Sequence, residues 1–113
     1  MLTATTLLLA AACLVPAAGK LLAHPQMQAS AAHFGIPWSR YRLIGVAELA
    51  AAAGILAGFA VPALGVAAAV GMTVLVGIAL VVHRQAGDSP KDAMPAFVAF
   101  GLSVVYLALV LTH

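Results

Sequence analysis

The chain has 113 residues, 65% of them hydrophobic and only 7% charged, with a formal charge of +2 and a mean hydropathy of +1.13. Soluble domains carry about 25% charged residues, and a globule this small exposes too much surface to hide so much apolar area from water. That balance argues against a soluble enzyme, a nucleic-acid binder or a disordered tail, and makes the lipid bilayer the expected solvent for one domain spanning 1–113.

A bilayer core about 30 Å thick takes about 20 mainly apolar residues per helix. Four stretches meet that requirement, near residues 2–22, 41–59, 62–83 and 93–111. Closed barrels would need strands alternating apolar with polar residues, and the run from Val74 to Val82 does not alternate. The expected fold is therefore all-α: an integral membrane four-helix bundle. The first stretch resembles a secretion signal at Ala17 and Ala18, but no Lys or Arg precedes it and Lys20 follows, so it is expected to stay as a mature helix. Pro16 removes a backbone donor facing the Ala12 carbonyl, which predicts a local kink.

Residues 23–40 hold a pattern of their own. Pro25 suits a first helical position, Met27, Ala31 and Phe34 recur at helical spacing, and Gly35 with Pro37 makes a stop. This predicts a short amphipathic helix in the headgroup layer between helices one and two, with Trp38 and Tyr41 as interfacial anchors. A lid over a membrane-facing pocket is the alternative. Helices two and three are joined by a very short turn and form an antiparallel hairpin. Small residues recur every four positions at Ala50, Gly54 and Gly58, and again at Gly65, Ala69, Thr73 and Gly77. Such rows permit close helix packing, within the hairpin or across a homodimer. Gly87, Asp88, Ser89 and Pro90 read as a solvated turn, and Pro95 falls in the first turn of helix four.

All five Lys and Arg residues lie in the first and third connections or at their edges: Lys20, Arg40 and Arg42 in one, Arg84 and Lys91 in the other. With four crossings these two segments share a side, which the positive-inside rule makes cytoplasmic. Both termini then face outward, with anionic lipid headgroups as partners of the basic side.

Glu48 is the most informative residue. A charge near mid-membrane costs roughly 2.5–3.5 kcal/mol on insertion scales, so a carboxylate one or two turns inside the bilayer needs a partner. Lys20, His24, Arg40 and Glu48 form the candidate polar cluster, with Arg42 and His83 on the same side. One reading is an ion pair that locks helix one to helix two. Another is a protonatable group in a polar pocket that handles a proton, a quinone or a small polar ligand. Gly45, Ala52 and Ile55 share its helical face. Cys13 is the only cysteine and reads as a packed hydrophobe, since it has no intramolecular partner. The histidines lack the spacing that places two imidazoles on one helical face, and His113 is expected on the opposite side. No metal site and no resident cofactor are expected.

Lys20-Leu21, Pro25, Met27, Phe34-Gly35-Ile36-Pro37, Arg40, Gly45 and Glu48-Leu49 together resemble the pattern of the DoxX-like membrane protein family. That resemblance implies a compact, multi-pass, four-helix protein of a bacterial-type inner membrane, with Lys20, Arg40 and Glu48 on the family's polar signature. Founding relatives are tied to thiosulfate:quinone oxidoreduction, and others to membrane complexes that handle thiol or oxidative stress. The expected role is an accessory or assembly subunit, docked on another membrane protein or on itself, without independent catalysis. The alternative is a quinone-linked oxidoreductase subunit in which Glu48 handles protons. A small-molecule carrier is a third class, and would need oligomers.

Overall fold

The computed structural model describes residues 1–112; the position expected for His113 lies outside them. Among the described residues the chain is all-helical: α1 (Leu2–Leu21), α2 (Pro25–Phe34), α3 (Trp38–Ala57), α4 (Pro62–Gln85) and α5 (Met94–Leu111). Three of these, α1, α4 and α5, are long and apolar enough to cross a membrane. The fourth predicted span, α3, matches α1 in length at 20 residues. Arg40, Arg42 and Glu48 in its first three turns set its composition apart.

The long helices pack as a ring, α1 on α3, α3 on α4, α4 on α5 and α5 back on α1, with the α1–α3 contact the most extensive. Leu9, Cys13, Ile55 and Met72 fill the centre. Outward-facing Leu7, Leu8, Val46, Val74, Ile78 and Val104 are exposed. A soluble bundle would bury such side chains, whereas here they form the surface offered to lipid. The molecule is 41 Å in its longest dimension. Buried hydroxyls are satisfied within their own helices: Thr6 donates to the Leu2 carbonyl at 2.8 Å and Ser103 to that of Ala99 at 3.0 Å. α1 runs through Pro16 as a continuous helix.

The small-residue rows serve packing inside the chain. Gly54 faces Ala68 across the α3–α4 hairpin, and Gly58 lies against Gly65. Their lack of side chains admits the Tyr106 hydroxyl of α5, which occupies the space that a Cβ at either glycine would need. Ala50, predicted in the same row, is exposed.

α2 forms as its sequence prescribes. His24 caps it, Nδ1 accepting from the Gln26 amide at 3.1 Å, and Pro25 opens it. Gly35 ends it at φ 68°, a left-handed conformation that glycine adopts without strain, and the Ile36 amide bonds back to the Ala31 carbonyl at 2.9 Å. Met27, Ser30, Ala31 and Phe34 make its covered face.

Candidate functional site

Lys20 stands in the last turn of α1 and Glu48 three turns into α3. Because the two helices run antiparallel, both side chains meet in the seam. Lys20 Nζ lies 2.7 Å from Glu48 Oε1, with the two side chains 8% and 9% exposed. The contact is a charge pair rather than an aligned hydrogen bond, so Oε1 is buried without a hydrogen-bond partner. The Tyr41 ring covers the ammonium, its centroid 5.0 Å from Nζ, a cation–π contact. Tyr41, expected as an interfacial anchor, is itself buried at 8% exposure, and its hydroxyl reaches Met27 Sδ of α2 at 4.0 Å.

Glycines make this arrangement fit. A Cβ at Gly45 would meet Lys20 Cβ at 2.7 Å, and one at Gly19 would meet Met27 Cγ at 3.0 Å. Close approach of α1, α2 and α3 around the pair depends on both. Arg42 then ties the same corner from outside, donating to the Leu21 carbonyl at 3.0 Å, one of the acceptors left open where α1 ends.

Of the predicted cluster the structure brings together Lys20 and Glu48 only. The imidazole of His24 is committed to capping α2, and Arg40 is exposed and outside the ion pairs. Two cavities lie at the connecting-loop end of the helices, and neither is lined by Glu48.

A second polar group was not foreseen. Asp88, in the α4–α5 loop, accepts from two imidazoles: His33 Nε2 of α2 at 2.6 Å on Oδ1, and His83 Nδ1 of α4 at 2.5 Å on Oδ2. An ionised carboxylate only accepts, so those two nitrogens carry the protons. These hydrogen bonds, from His33 first and then His83, hold the Asp88 carboxyl below its ordinary value of 3.8. Phe34 packs edge-on against His83 with centroids 4.9 Å apart. The imidazoles grip opposite oxygens of one carboxylate rather than converging on a point, and no group of three His, Cys, Asp or Glu among the described residues is arranged to hold a metal ion. The turn predicted as merely solvated therefore fastens α2 to the far side of the bundle. Its sequence signal was thin: His33 and Asp88 are separated by 55 positions.

An all-helical chain with apolar spans, an apolar outer surface and its charges either paired inside or gathered at one end is a membrane protein. It belongs to the DoxX-like family, whose model matches residues 4–111, nearly the whole chain. No curated protein and no solved structure matches it.

Proposed function

We propose that this protein is an accessory or assembly subunit of a membrane complex, without catalysis of its own. In this reading α1, α3, α4 and α5 all cross a bacterial-type inner membrane as one multi-pass domain. The basic ends face the cytoplasm and both termini face outward. The observation that carries the reading is the commitment of Glu48: its carboxylate is matched by Lys20 and roofed by Tyr41 inside the α1–α3 seam. Polar chemistry at membrane depth then acts as internal fastening, while the apolar flanks are left for lipid and for another membrane protein or a second copy.

One feature favours the quinone-linked alternative. Glu48 Oε1 is buried without an aligned hydrogen bond, so the site retains acceptor capacity for a proton or a small polar group. The two readings separate on purification in mild detergent. A second membrane protein held in fixed stoichiometry, with no electron transfer from quinol by the isolated chain, supports the accessory role. Quinol-dependent electron transfer by the isolated chain, lost in a folded Glu48→Gln variant, overturns it.

A further inference from the structure

Between α4, α5 and the loop that joins them lies a cavity of about 360 Å³. Leu80 and Val81 of α4 and Ala93 and Phe97 at the start of α5 form its apolar wall, and Arg84 stands among its polar lining. Both carboxylates of the loop are already engaged. Asp88 is held by His33 and His83, and Asp92 accepts from the Ser89 amide at 3.2 Å and the Ser89 hydroxyl at 3.0 Å. Neither Arg84 nor Lys91 takes part in an ion pair among the described residues. Arg84 thus stands outside the ion pairs of the described residues, beside an apolar cleft of a size typical for ligand sites, about 300–1,000 Å³. Asp88 lines the same cleft, with both of its carboxylate oxygens taken by imidazoles.

We infer that this cavity seats one anionic phospholipid, its phosphodiester on Arg84 and an acyl chain along Leu80, Val81 and Phe97. A planar guanidinium matches two phosphate oxygens at once, and the apolar wall accounts for the lipid tail, which an inorganic anion lacks. The inference requires α4 and α5 to lie in a bilayer and is independent of the accessory role, so the two fail separately.

The full chain, delipidated in detergent, is offered phosphatidylglycerol, phosphatidylcholine, oleate or inorganic phosphate, and bound species are counted by native mass spectrometry. The expected result is one retained phosphatidylglycerol, favoured over phosphatidylcholine by about fivefold, the worth of one basic side chain near an anionic headgroup. Arg84→Gln, a change at an exposed side chain, abolishes that preference, whereas Arg40→Gln, exposed and outside the cavity, preserves it. Ala93→Leu, which fills the cleft, lowers retention of phosphatidylglycerol. Equal losses in Arg84→Gln and Arg40→Gln would mean a diffuse surface field and overturn the site. Oleate bound as well as phosphatidylglycerol, or inorganic phosphate displacing it, would assign the cavity to a fatty acid or a free anion and overturn it equally.

Discussion

A lysine ammonium leaves water for a helix seam only where a counter-charge receives it, and Glu48 stands 2.7 Å from Lys20 in that seam. A buried pair of this kind adds little over a well-packed apolar pair, because desolvation offsets most of the attraction, yet removing one partner strands the other. Glu48→Gln should therefore cost about 3–5 kcal/mol in reversible unfolding from mixed micelles. The double variant Lys20→Met with Glu48→Met should recover most of it. A double variant as unstable as the single one would show that the charges do more than hold each other. Gly45→Ala tests the same corner by shape: its methyl group would press on Lys20 Cβ near the backbone, where no rotamer gives way, and about 1–3 kcal/mol of overpacking strain should follow. That Glu48 needs a partner at the end of helix one or its connection was legible from sequence, with Lys20 one candidate among Arg40, Arg42, His24 and His83; the choice of Lys20 came from the packing of α1 on α3. The role of Tyr41 as the pair's cover was not legible, since an aromatic at a helix start reads equally as an interfacial anchor.

At the scale of elements, α2 is a strap fixed at both ends. Its start is capped by His24 and packed through Met27 on Gly19, and its far end is fastened by Asp88 between His33 and His83. Because the Asp88 carboxyl sits below its ordinary 3.8, the clasp contributes fully above that value. Its contribution is lost as pH falls through the lowered one. The groups facing the carboxylate are those two imidazoles, with Arg84 on the same cavity. Spin labels on α2 at Ala29 and on the loop at Pro90 should give a narrow distance distribution at neutral pH that broadens in acid below 3.8. Asp88→Ala should broaden it at every pH. A distribution unchanged by that substitution would show that α2 is held by its apolar face alone. The helix itself was readable from Pro25, Gly35 and the spacing of Met27, Ala31 and Phe34, because its stop signals and stripe are local. The clasp was not, because Gly87-Asp88-Ser89-Pro90 has the composition of any solvated turn and its partner lies far away in sequence. The small-residue rows likewise pointed to close helix packing without revealing that the Tyr106 hydroxyl of α5 enters beside Gly58 and Gly65.

At the scale of the whole molecule, the end of α1, the start of α3, the end of α4 and the start of α5 share one end of the ring, and all five basic residues lie there or in the adjoining segments. Nothing basic stands at the α3–α4 turn. If charge asymmetry sets orientation, that turn and the basic end must react from opposite sides of the membrane. The chain supplies its own background for the measurement, since Cys13 is its only cysteine and is fully buried. A membrane-impermeant maleimide added to intact cells should leave the parent protein unlabelled. Ala60→Cys, at the exposed turn, should be labelled from outside. Ser39→Cys, exposed in the first turn of α3, should be labelled only after the cells are opened. The reverse pattern would invert the orientation, and labelling of both positions from outside would mean that α3 does not cross the membrane.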